Sequence, residues 1–164
     1  MPQISKYNHT IHRAIQRIVI QLIVEDVMIK NMTEAYAKEI ITWRYAKPYD
    51  VYCMKDAYDE LMKRYQVVYK DELIGFFCTG RDAQVPPYGY NEDFLDFGIG
   101  LKPELCGNGY GELFMREIIE YIDIPLRLTV LAWNERARKL YLKLGFKDVD
   151  QFYRGERLFV IMTQ

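Results

Sequence analysis

The chain has 164 residues, 50% of them hydrophobic and 27% charged, with a formal net charge of −1 and a pI of about 6.1. One domain of this length buries roughly 70% of its unfolded surface, and the composition is that of a globular protein rather than a disordered one. The balance of charge argues against a large basic face for nonspecific nucleic-acid binding and leaves room for a local patch, and no apolar run reaches the roughly 18 residues a membrane helix needs.

Residues 11–24 are apolar with interleaved charge. Ile11, Ile15, Ile18 and Leu22 recur at helical spacing, while Ile18-Val19-Ile20 would also suit a strand. His12, Arg13, Arg17 and Gln21 interrupt the run and no small-residue cleavage site follows, so it does not read as a signal peptide. Residues 1–26 are expected to form an appendage, an extra helix or strand, with the main domain over 27–164 and Met28 as an alternative start.

Residues 27–32 alternate like a short strand. Thr33 is a good N-cap, and residues 35–45 follow as an amphipathic helix that ends at Lys47-Pro48-Tyr49-Asp50. A second helix is predicted over 56–64, then a hairpin of 66–69 and 73–79 around Lys70-Asp71-Glu72. Residues 80–92, with two prolines and two glycines, read as a loop. A strand over 94–101, a helix over 109–122, a buried strand over 126–132 and a helix over 134–144 closed by Gly145 come next. A final hairpin of 146–153 and 157–162 turns at Arg154-Gly155-Glu156. The order β-α-α-β-β-β-α-β-α-β-β is that of a mixed α/β (α+β) domain without internal repeats.

Residue counts narrow the chemistry. The only serine is Ser5 and the only histidines are His9 and His12, so the main domain holds neither a serine-hydrolase elbow nor a histidine base. Cys53, Cys78 and Cys106 form no Cys-x-x-Cys pair. That speaks against a structural zinc site and a disulfide framework and fits a reducing cytoplasm. No metal is expected.

The sharpest feature is Leu101-Lys102-Pro103-Glu104-Leu105-Cys106-Gly107-Asn108-Gly109-Tyr110-Gly111, which joins a strand directly to a helix. Glycines at 107, 109 and 111 let the backbone approach a ligand closely, and the free N–H groups of a helix start favour an anion such as pyrophosphate. The spacing fits neither the dinucleotide fingerprint nor the Walker loop. A tight strand-to-helix turn without a ligand would use the same glycines.

The segment resembles the acyl-CoA pyrophosphate loop of the GNAT superfamily of N-acetyltransferases, Gln/Arg-x-x-Gly-x-Gly/Ala after an apolar-x-Pro turn. Cys106, Gly109 and Gly111 occupy that register, with Cys106 where Gln or Arg is usual. Downstream, Asn134, Ala137, Leu140, Tyr141, Gly145 and Phe146 match the family's Asn-x-x-Ala-x-x-Leu/Phe-Tyr-x-x-x-Gly-Phe segment. The resemblance implies a GNAT-like fold: a mostly antiparallel mixed sheet of about six to seven strands flanked by helices, with strands splayed at the acetyl-CoA site. It implies transfer of an acetyl group from acetyl-CoA, as cosubstrate, directly to the amine of a small molecule or peptide N-terminus. Ile99 and Leu101 would offer backbone groups to the cofactor. Cys106, Gly107, Asn108, Gly109, Tyr110 and Gly111 would hold the pyrophosphate, and Asn134 and Tyr141 would contact the CoA arm.

A phenol with a pKa near 10 can protonate a departing thiolate, so Tyr141 is the expected general acid, although a packed helix tyrosine would look the same. Glu92, Asp93 and Asp96 are candidates for the base, and Glu92 and Asp96 are carried forward. A reactive Cys106 would need a depressed pKa, but no histidine in the main domain could activate it. Trp43, Tyr45, Tyr49, Tyr52, Pro86, Pro87, Tyr88 and Tyr90 supply aromatic and apolar surface for an acceptor, for a core, or for a contact between two copies in a homodimer. Two further readings stay open: a non-catalytic acetyl-CoA-binding module, and a toxin-type transferase acting on charged tRNA, against which the acidic pI speaks.

Overall fold

The computed structural model describes residues 27–164; the expected appendage, 1–26, lies outside the described residues. In chain order these are strand β1 (Met28–Asn31), helices α1 (Glu34–Ile40) and α2 (Tyr58–Arg64), strands β2 (Gln66–Lys70), β3 (Glu72–Thr79) and β4 (Leu95–Leu101), helix α3 (Tyr110–Ile122), strand β5 (Leu126–Leu131), helix α4 (Glu135–Lys143), and strands β6 (Lys147–Arg154) and β7 (Arg157–Thr163). The seven strands form one sheet in the order β1-β2-β3-β4-β5-β7-β6. Only β4 and β5 run parallel, because helix α3 carries the chain back between them. No helix among the described residues is long and apolar enough to cross a membrane.

Two cores lie on opposite faces of the sheet, as the two-sided burial of β3 demands. On one face Phe77, Phe97, Leu128 and Met162 of the sheet meet Phe114, Met115 and Ile118 of α3 and Tyr141 of α4. On the other, Val67, Leu73 and Phe76 meet Ala37 and Ile40 of α1 and Leu61 of α2. Each fully buried large apolar side chain contributes about 1.5–3 kcal/mol relative to exposure. Gly100 is obligatory at the crowded centre, since a Cβ there would lie 2.2 Å from the Phe76 ring.

The α-helices and strands follow the pattern read from the sequence, with one clear difference. Helix α1 stops at Ile40 instead of continuing to Tyr45. Its Thr33 cap is as expected, accepting from the Tyr36 N–H at 3.3 Å. At the other end, Thr42 Oγ1 donates to the Glu39 carbonyl at 2.6 Å and the Arg44 guanidinium donates to the Ile41 and Trp43 carbonyls. These bonds satisfy helix-end acceptors locally and turn Trp43 into the core, where its ring lies 5.9 Å from that of Phe76. Trp43, 6% exposed, is thus a core residue rather than part of an acceptor pocket.

Candidate active site

The register of β4 fixes the geometry of the site. Residues 95–97 pair with 126–128 of β5, and residues 97–101 pair with 75–79 of β3. Beyond Phe97 and Leu128, therefore, β4 and β5 part. The Leu95 N–H donates to the Pro125 carbonyl, and the Lys102 N–H donates to the Ile74 carbonyl. Alternation along the strand then turns the backbone groups of Gly98 and Gly100 toward β3 and those of Ile99 and Leu101 toward the opening. Ile99 thus has its main-chain groups past the end of the β5 ladder. Leu101 differs in part, since its carbonyl accepts a hydrogen bond from the Tyr45 hydroxyl at 2.7 Å.

The chain leaves β4 through a 3-10 turn, Pro103–Leu105, and enters α3. Gly107 and Gly109 have φ of +78° and +81°, a left-handed conformation that glycine takes without strain, and Gly109 is the N-cap of α3. No atom lies within 4 Å of where a Cβ would stand at either position, so their backbone is open to a ligand. Gly111 serves packing instead: its missing Cβ would lie 3.1 Å from Leu140 Cδ2, drawing α3 against α4. The Asn108 amide donates to the Glu104 carbonyl and braces the loop. Tyr110 is exposed on the first turn of α3. Cys106 is half-buried and its thiol points at the Lys102 carbonyl, 3.5 Å away. Burial pushes that thiol above its ordinary pKa, with Arg136 pulling the other way, so it lacks the thiolate character of a nucleophile.

The start of α4 faces this loop across the opening. Asn134 Oδ1 accepts from the Ala137 N–H at 3.1 Å, which is the expected helix cap, while its amide nitrogen donates to the Tyr52 hydroxyl at 3.0 Å. Tyr52 belongs to a 3-10 helix, Tyr49–Tyr52, that the sequence did not disclose. The rings of Tyr49 and Tyr52 lie 5.6 and 6.1 Å from Trp133, and the Arg136 guanidinium sits 4.1 Å above Tyr49. Among the described residues Arg136 makes no ion pair, whereas Lys102 is tied to Glu72 and Glu39, and Glu112 takes Arg116 and Lys143. Tyr141 is 7% exposed, and burial, with the Tyr52 phenol nearby, drives its pKa well above the ordinary tyrosine value.

The acidic candidates separate. Asp96 is buried and bound to Arg127 by two bonds, Nε to Oδ1 at 2.6 Å and Nη2 to Oδ2 at 2.8 Å, and it also accepts from Gln84 Nε2 at 2.7 Å. Its oxygens are engaged, which corrects its expected role as a base. Glu92 is exposed in the segment before β4. Asp93, exposed beside it, donates its N–H to Asn91 Oδ1. Arg127 itself was not singled out from the sequence. A charged residue inside the otherwise apolar strand LRLTVL was the signal that could have found it.

An open pair of parallel strands ahead of a positive-φ glycine loop at a helix N-terminus is a site for an extended ligand with an anionic end. Residues 29–146 match the Acetyltransferase (GNAT) family. The chain belongs to this family. A GNAT assignment makes it an acetyltransferase, and the seven-stranded mixed sheet is the fold of its structural neighbours. The chain is 18% identical to a chimera of the Vibrio cholerae spermidine N-acetyltransferase SpeG and hSSAT, covering 84% of this chain and 94% of that one with a TM-score of 0.64. It is 23% identical to the Campylobacter jejuni N-acetyltransferase PseH in complex with acetyl coenzyme A, covering 84% and 97% with a TM-score of 0.58. At these identities the likeness is one of fold. A 57-residue stretch is 40% identical to the thialysine N-epsilon-acetyltransferase of Bos taurus, spanning 32% of this chain and about a third (34%) of the cattle protein.

Proposed function

We propose that this GNAT acetyltransferase moves the acetyl group of acetyl-CoA directly to a primary amine of a small molecule or a peptide N-terminus, with both substrates bound at once. The observation that carries this reading is the parting of β4 and β5 beyond Phe97 and Leu128, opening toward the Gly107–Gly109 backbone. The names of the V. cholerae, C. jejuni and cattle proteins, all N-acetyltransferases, support it.

The residues divide the work as follows. The open amides of residues 107–111 and the start of α3 hold the pyrophosphate of acetyl-CoA. The exposed main-chain groups of Ile99 and the N–H of Leu101 pair with the pantetheine arm and the thioester carbonyl. Asn134 and Tyr52 flank that arm. Glu92, exposed before β4, draws a cationic amine and relays its proton to water. The neutral amine forms a bond to the carbonyl carbon as the carbon–sulfur bond breaks; the nitrogen then sheds its surplus proton to water, and the sulfur must gain a proton, which solvent afterwards restores to its donor. Tyr141 supplies it: its raised pKa keeps the phenol protonated throughout the neutral range, so it acts as a donor and never as a base. Among the described residues there is no serine or histidine to carry a covalent acetyl intermediate. Cys53, Cys78 and Cys106 are free thiols, which supports residence in a reducing compartment such as the cytoplasm.

The test is release of free CoA thiol by the full chain over a panel of amines that includes spermidine and thialysine. Release that depends on one class of amine is the expected result. Binding of acetyl-CoA without release for any small amine or peptide contradicts the acceptor class proposed.

A further inference from the structure

Resting on the reading above, we propose that Arg127 and Asp96 are positioning residues for the acceptor. Their buried ion pair clasps the strap of residues 80–94 across the fork where β4 and β5 part. The strap thereby becomes the wall against which the amine is held.

The strap meets both strands just past their last rung. Gly98 and Thr129 are the first residues beyond the paired Phe97 and Leu128. A Cβ on Gly98 would lie 3.6 Å from the Ala83 methyl, so one limb of the strap rests on β4 there. The Tyr90 hydroxyl lies 2.8 Å from Thr129 Oγ1, so the other limb is bonded to β5 there. Asp96 and Arg127 face each other one rung back. They project on the same side of the sheet as Gly98 and Thr129, opposite the face that receives α3 and α4.

The bonds of the pair then run outward, into the strap. Arg127 Nη1 donates to Asn91 Oδ1 at 2.7 Å and Nη2 to the Asn91 carbonyl at 2.8 Å, and the Tyr90 ring lies 4.9 Å from the guanidinium carbon. Asp96 Oδ2 takes its extra bond from Gln84, at the other limb. One ion pair, each side chain 4% exposed, therefore ties both ends of the strap to the strand pair that splits to form the site. Burial alone does not explain the choice, because an apolar pair of similar volume would pack the same space at no loss of stability. The ion pair adds direction: a planar fork of donors that reaches the carboxylate and Asn91 together, which a lysine cannot reproduce. The strap it holds carries Glu92, the group proposed to draw the amine.

The experiment compares the wild-type full chain with Asn91→Ala and Arg127→Lys. The first leaves the ion pair whole and removes the side-chain tether; the second keeps the charge and loses the fork. Three readouts are taken: hydrogen exchange of strap amides against those of α3, the acetyl-CoA Kd by calorimetry, and separate KM values for acetyl-CoA and for the amine, spermidine or thialysine, that gives the faster thiol release. Both variants are expected to speed exchange in the strap and not in α3. They are expected to raise the amine KM by about tenfold or more, as misplaced positioning groups do, while the acetyl-CoA values stay within about twofold. Unchanged strap exchange, an unchanged amine KM, equal shifts in both KM values, or an Arg127→Lys protein with wild-type amine KM would each overturn the proposal. If the wild type released thiol with neither amine, the functional reading would fail for these acceptors, while strap exchange would still decide the clasp.

Discussion

Over residues 95–97 strand β4 is bonded to β5, and the carboxylate and guanidinium between them are buried and fully engaged. Over residues 98–101 the same strand has only its β3 neighbour, with Ile99 facing an opening. The two halves adjoin in one strand of seven residues, yet they serve different ends. In the closed half the charged side chains are spent inside the protein, on each other and on Gln84 and Asn91. In the open half the Ile99 main-chain groups face the opening, and they are the proposed means of holding a polar ligand. The contrast is one of pairing: the fold leaves one sheet ladder unfinished, beside a helix start.

The largest expected effect breaks the closed half. Arg127→Met leaves a buried carboxylate without its partner and should lower stability by about 3–5 kcal/mol, measured by denaturant unfolding. In the open half the same assay should respond less, by about 1–3 kcal/mol for a strained glycine replacement. Gly109→Val forces a branched residue into φ of +81° at the α3 cap, and acetyl-CoA affinity should fall about tenfold or more by calorimetry on a protein that still folds. Tyr141→Phe sharpens the division within the open half: turnover should drop about a hundredfold while acetyl-CoA affinity changes little, since the phenol serves the leaving sulfur. The upward pKa shift of Tyr141 adds a pH consequence. Activity should rise as the amine deprotonates and show no fall from phenol ionisation below about pH 10. Smaller still is Arg136→Ala, which removes a cation without an ion pair among the described residues and should weaken acetyl-CoA binding by about 0.5–1 kcal/mol, as befits an exposed charge. Cys106→Ala should leave turnover within about twofold, because its thiol is held neutral by burial.

Much of the element pattern and of the loop was legible in the sequence. The alternation in the strands, the Thr33 and Asn134 caps and the Gly107 and Gly109 turns each answer to a local rule of backbone geometry. What escaped depends on residues far apart in the chain. Asp96 read as a base because its partner lies 31 residues downstream and no local pattern links the two. Tyr45 read as surface for an acceptor, a core or a contact between copies, because nothing near it says that its hydroxyl would close on Leu101, 56 residues away. The end of α1 was misplaced for a related reason: Trp43 gains more from the Phe76 core than the helix loses by stopping early.

The most direct test of the whole account is a calorimetric titration of the full chain with acetyl-CoA. The account predicts saturable binding, one acetyl-CoA per chain. An absence of binding would contradict it, because the open strand and the glycine loop have that one ligand as their common purpose.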